Sequence, residues 1–296
     1  MFRRLVGAIL TALVICAFVI LLAPGVRADS PVKGGDLHQT GGVSIDQNYV
    51  PTAKDQEVLA AKTRQINKMK EEARTAQDPA TTLEGLLKSK GEVQGSTAES
   101  LSALSSVKTT SSSWYFRMLS QEKKWREPSD AAHRNYCGPG STQVVLDVRL
   151  AARDVPSIDT IGQEERVDRD VYGVTDTAIR DTVNRHLNSQ WYIVSRGVSS
   201  DYLNWATRLD LDLNYGMAIG VRTGGMPGWG SRDVQHVVAI LGLYDSSGNR
   251  IILYADTAAS DDPLHPSYQG NNGSYYNWVP FDSFYYWHSR NATLIW

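Results

Sequence analysis

The sequence predicts an α+β fold, with helices first and an antiparallel sheet after them. Three observations carry this. Behind Cys137, apolar residues recur at Val144, Val145, Val148, Ala151 and Ala152, the spacing of one helix face. Met217-Ala218-Ile219-Gly220-Val221 is a short apolar run of the kind that forms a buried strand. His236–Tyr244 and Ile251–Tyr254 are two further apolar runs, joined by Asp245-Ser246-Ser247-Gly248-Asn249, which reads as a hairpin loop.

In chain order, Arg3 and Arg4 precede an uncharged stretch from Leu5 to Leu22, which Ala23-Pro24-Gly25 breaks. This pattern reads as a secretory signal over residues 1–28, cut after Ala28, and places the rest of the chain outside the cytoplasm. An uncleaved anchor is the competing reading, because the run is long enough to span a bilayer. Residues 29–113 are polar and poor in aromatic residues. A disordered start to about Tyr49, a solvated helix over Asp55–Thr75, a short helix over Thr82–Lys90 and a Ser/Thr-rich linker to Ser113 are expected there. The arm could be a stalk, a propeptide or an accessory segment. At Trp114 the composition turns aromatic, so the folded domain is expected over 114–296. Within it, helices are predicted near Cys137–Arg153, Thr175–Leu187 and Tyr202–Leu209, and a short strand near Gln190–Val194.

The 296 residues are 42% hydrophobic and 21% charged, with a formal net charge of −2. That balance is globular, and without a basic run it gives phosphate backbones nothing to bind. No nucleic acid partner, cofactor or metal is expected, and a monomer is. Contact with a membrane is expected only through the N-terminal segment, if that stays uncleaved.

The chain has two cysteines, and only Cys137 lies outside the N-terminal segment. A lone thiol in an exported chain has no internal disulfide partner, so a reactive nucleophile becomes a candidate role. Gly138-Pro139 is a turn and Ser141-Thr142 can cap a helix, which puts Cys137 at a helix N-terminus, where the dipole favours thiolate. His236 heads one strand of the hairpin and Asp256 ends the other. Such a pairing needs only a bulge or twist to bring them to one face. A carboxylate beside a histidine orients it, and a histidine beside a thiol makes a thiolate–imidazolium pair.

Tyr136-Cys137-Gly138-Pro139-Gly140-Ser141, Gln235-His236-Val237-Val238-Ala239-Ile240 and Tyr254-Ala255-Asp256 together resemble the papain-like cysteine peptidases. The nearest resemblance is to the stand-alone branch of peptidase family C thirty-nine, the double-glycine leader peptidases. Gln121 followed by Trp125 matches that branch's upstream signature, and the resemblance spans about 114–260. It implies a Cys-bearing helix packed on an antiparallel sheet, with Cys137 as nucleophile, His236 as general acid/base and Asp256 as orienter. It also implies that Gln121 lines the oxyanion hole. Gly140 departs from the family, which commonly has a larger residue there. The implied activity is hydrolysis of peptide or isopeptide bonds in a peptide or protein substrate. A cell-wall peptide amidase and a non-catalytic peptide- or wall-binding module stand as alternatives.

Trp229, in a loop rich in glycine, and Gly138 are expected to line the substrate groove. His133 is a rival base and Asp233 a rival orienter, both expected in polar surface roles. Asp210-Leu211-Asp212 resembles the start of a calcium loop but lacks its glycine, and a helix or strand end is expected instead. The aromatic cluster from Tyr275 to Trp287 is expected to complete the sheet.

Overall fold

A computed structural model describes residues 43–75, 114–168, 173–246, 249–260 and 271–296. All belong to one compact unit, Gln39–Trp296. The expected signal, the helix over Thr82–Lys90 and the Ser/Thr linker fall outside the described residues. The first elements are β1 (Val43–Ser44), α1 (Ala53–Thr75), β2 (Trp114–Met118), α2 (Cys137–Asp147), α3 (Ile158–Glu164), β3 (Val174–Thr175) and α4 (Asp176–His186). Then follow β4 (Val194–Arg196), α5 (Ser200–Asp212), β5 (Met217–Arg222), β6 (Gln235–Ser246), β7 (Asn249–Ala255), β8 (Tyr276–Pro280), α6 (Phe281–Ser289) and β9 (Thr293–Ile295).

The main sheet runs β4-β9-β5-β6-β7-β8, with β2 alongside the far half of β6 and each of these pairs antiparallel. The fold is therefore α+β, as the order of patterns predicts. Val237–Leu243 is buried without alternation, because β6 is central and covered on both faces. β8 is an edge strand and alternates, burying Asn277 and Val279 while Tyr276 and Trp278 face outward. α2 packs on β5 and β6, and α5 on β2 and β6.

Four helices begin with a hydroxyl cap: Thr52, Ser157, Thr175 and Ser199 accept from the Asp55, Thr160, Ala178 and Tyr202 backbone N–H groups. α2 does not. It starts at Cys137 behind Tyr136, which makes no side-chain cap. Ser141 and Thr142, expected as caps, lie inside the helix, where their hydroxyls donate to the Val237 carbonyl and to Glu165. The N-cap residue of the cysteine helix thus supplies no side-chain acceptor to the first turn, which favours binding a developing anion there.

The domain boundary at 114 needs correction. β1 pairs with β3, burying Val43, and α1 lays one face on the domain through Ile66 and Lys62. Lys62 is 0% exposed. Its Nζ lies 3.5 Å from Asp210 and 4.2 Å from the ring centres of both Trp191 and Trp296. Trp191 Nε1 donates to the same Asp210 oxygen at 3.1 Å. The charged look of 55–75 concealed this contact, because one buried cation among many exposed ones leaves no trace in composition. It also places Asp210 at a helix end, in an ion pair. Burial pushes Lys62 down to about 8 and Asp210 up to about 6. Replacing Lys62 with alanine strands a buried carboxylate, and the expected cost is about 3–5 kcal/mol in urea unfolding. Pairing Lys62→Met with Asp210→Asn should recover most of that loss, since neither side chain then carries a charge to desolvate and the amide oxygen still accepts from Trp191.

Candidate active site

Cys137, His236 and Asp256 meet on the inner side of α2. Cys137 opens the helix and is 3% exposed. Its thiol hydrogen-bonds with the His236 ring and accepts from the Val237 backbone N–H. His236 Nε2 lies 2.8 Å from Asp256 Oδ1, which leaves Nδ1 for the sulfur. Asp256 accepts four hydrogen bonds. His236 and the Ala258 N–H, at 3.0 Å, share Oδ1; Trp229 Nε1 at 2.9 Å and Asn271 Nδ2 at 2.8 Å share Oδ2.

A β-bulge brings the hairpin residues into register. Near the turn, Leu243 pairs with Ile252 and Tyr244 with Ile251, a register that would set Asp256 opposite Ala239 and on the face away from His236. The register shifts between Ile240 and Gly242, and beyond it Ile240 pairs with Tyr254 and Ala239 with Ala255. Continued one step, Asp256 falls opposite Val238, two residues from His236 and on its face. Leu241 is the residue that the shift passes over.

Burial pushes the Cys137 thiol up, more than His236 pulls it down. The dipole-favoured thiolate expected from the sequence is therefore not the resting state: removing nearly all solvent costs the anion more than one helix end returns. Burial also opposes charge on His236, but the Asp256 carboxylate, with a contribution from Cys137, holds the imidazolium well above its ordinary range.

Trp229 and Gly138 require correction. Trp229 is only 5% exposed, and its ring packs 4.9 Å from that of His236. It screens the His236–Asp256 hydrogen bond from water instead of lining a groove. The loop can fold back this far because Gly228, at φ +81°, lies where a Cβ would come within 2.0 Å of Asn271 Oδ1 and 2.1 Å of the Gly273 nitrogen. Gly138 is also inside: a Cβ there would meet Val174 Cγ1 at 2.3 Å. Its task is close packing of α2 on β3.

Gln121 is not at the oxyanion position. Its Oε1 accepts from Tyr276 at 3.2 Å. The next residues are bound at the far end of α2: Lys123 N–H and Trp125 Nε1 both donate to Asp147, at 3.1 and 2.9 Å, and Glu122 accepts from Ala152 N–H. Asp147 closes the 11-residue helix that Cys137 opens, which at 1.5 Å per residue separates them by about 15 Å.

The residue that this segment brings to the cysteine is Glu127. It is buried, its N–H donates to the Thr257 carbonyl at 3.0 Å, and its Oε1 accepts from Thr257 Oγ1 at 2.9 Å. Thr257 follows Asp256 and presses on Gly140, where a Cβ would come within 2.8 Å of the threonine hydroxyl. That contact explains the small residue at 140. Glu127 and Asn271 carry no local motif; only the Asn-Asn-Gly turn at 271–273 hinted at a fixed loop.

The rivals lie elsewhere. His133 is clamped between Asp130 and Asp159 at 2.7 and 2.9 Å. Asp233 binds Arg222 and Arg290. No protein-family model matches the chain, and neither does any curated protein.

Proposed function

We propose that this chain is a papain-like cysteine hydrolase acting on peptide or isopeptide bonds outside the cytoplasm. The observation that carries it is the unbroken line of contacts from the Cys137 sulfur through His236 to a fully hydrogen-bonded Asp256. A structural cysteine has no use for a histidine whose other nitrogen is held by a carboxylate accepting three further hydrogen bonds.

The chemistry follows from the groups in place. His236 rests as imidazolium, and its charge beside Cys137 makes the thiolate attainable once the thiol proton leaves for solvent. The thiolate attacks the acyl carbon and the C=O π pair moves onto oxygen. The uncapped first turn of α2 offers N–H donors to that oxyanion. As the C–N bond breaks, His236 gives its proton to the departing amine. Now neutral, it takes a proton from water, whose hydroxide releases the acyl group from sulfur. Asp256 keeps Nε2 protonated throughout.

A peptide chloromethyl ketone offered to the folded Cys16→Ser chain should alkylate Cys137 at least tenfold faster than it alkylates the same chain in urea. Equal or slower labelling of the folded protein, read by intact mass, sinks the proposal. The Cys16→Ser background removes the chain's other thiol.

A further inference from the structure

We infer that Glu127 is a fourth member of this site: a protonated carboxylic acid that faces the Cys137 thiol and donates the side-chain hydrogen bond to the anion formed there. The inference deepens the hydrolase reading and rests on it. It begins from a gap. Gln121 sits at the wrong end of α2, so it does not supply the side-chain donor that would partner the helix N–H groups.

Glu127 enters from the same segment, six residues later. Two hydrogen bonds to Thr257, one from its backbone and one to its side chain, fix it against the residue next to Asp256. Thr257 touches Gly140, in the first turn of the cysteine helix. The carboxyl is thus wedged where the start of α2 meets the end of β7. The charged groups facing it are Cys137 on α2, His236 on β6 and Asp256 after β7. The neighbouring Arg126 donates to the Ala259 carbonyl.

An ionised Glu127 would oppose both the thiolate and the oxyanion. A neutral one opposes neither and has a proton to donate. Burial, with Asp256 adding to it and His236 and Thr257 opposing, pushes its carboxyl up to about 7, so the neutral form is within reach at ordinary pH. No proton is transferred in this role. The acid donates a hydrogen bond as the oxyanion forms and keeps its proton when the acyl carbonyl is restored.

Peptide turnover and iodoacetamide alkylation of the whole chain, followed against pH, test this. Alkylation reads thiolate alone. In the native protein, kcat/KM should rise to about pH 7 and then level off. Above that point each unit gains on the order of tenfold in thiolate and loses on the order of tenfold in protonated Glu127. Alkylation should keep rising through the same range. Glu127→Gln keeps a donor at every pH, so its kcat/KM should continue upward past 7, and its alkylation midpoint should move down by roughly one unit. Glu127→Ala should lose roughly 10²–10³-fold in kcat at pH 6. A Glu127→Gln profile that levels off like the native one, or a folded Glu127→Ala with native kcat, overturns the inference. If no peptide is turned over while Cys137 still alkylates, the hydrolase reading falls by itself. The alkylation midpoint then decides Glu127: a downward shift in Glu127→Gln supports it as an acid facing the thiol, and an unmoved midpoint overturns it.

Discussion

Cys137→Ser should leave the protein folded and remove at least about 10⁴-fold of the proposed peptide turnover. Oxygen replaces sulfur with little change of volume, and the hydroxyl can still hydrogen-bond with His236 and accept from the Val237 N–H. Stability should therefore change by no more than about 1 kcal/mol, measured by thermal or urea unfolding. What is lost is acidity. Even with the His236 imidazolium beside it, an alkoxide is far harder to form than a thiolate, and an imidazolium cannot act as the base that generates one during attack. A serine variant that turns over peptides within tenfold of the native protein would place the nucleophile elsewhere.

Asp256→Asn should cost both activity and stability, although it changes a single atom. Oδ2 receives N–H donors from Trp229 and Asn271, and Oδ1 receives them from His236 and Ala258. An amide has one accepting oxygen. Whichever way it is turned, its NH2 meets two donors that it cannot satisfy. If it faces Trp229 and Asn271, two buried N–H groups are orphaned, at about 1–3 kcal/mol each. If it faces His236, it forces the ring into the tautomer with the proton on the nitrogen meant for sulfur. The expected outcome is a loss of about 2–4 kcal/mol in unfolding free energy and a fall of about 10²–10⁴-fold in kcat. A native-like melting temperature would mean that these four hydrogen bonds do not hold the orienter.

Much of the fold was legible because its elements are chemically plain. The apolar run of β6, the Gly-rich loop before it and the hairpin turn after it each follow from local preference. The cysteine helix and its start at Cys137 were also legible, although not the manner of its start: Ser141 and Thr142 look like caps but face inward. The arm was misread because its buried residues are Val43, Lys62 and Ile66, too few to shift a composition.

The sequence by itself determined the chemical vocabulary of the site: one thiol, one histidine and one acid on the elements that carry them, within an α+β order of helices before strands. Which groups meet was left to the tertiary structure. A one-residue shift in the β6–β7 register puts Asp256 on the face of His236. A left-handed glycine lets Trp229 fold over that pair, and a loop running along α2 delivers Glu127 where Gln121 was expected. The reason is physical. Spacing along the chain encodes which face a residue takes within one element, but a bulge, a close backbone approach or the path of a loop is set by what packs against it, often more than a hundred residues away.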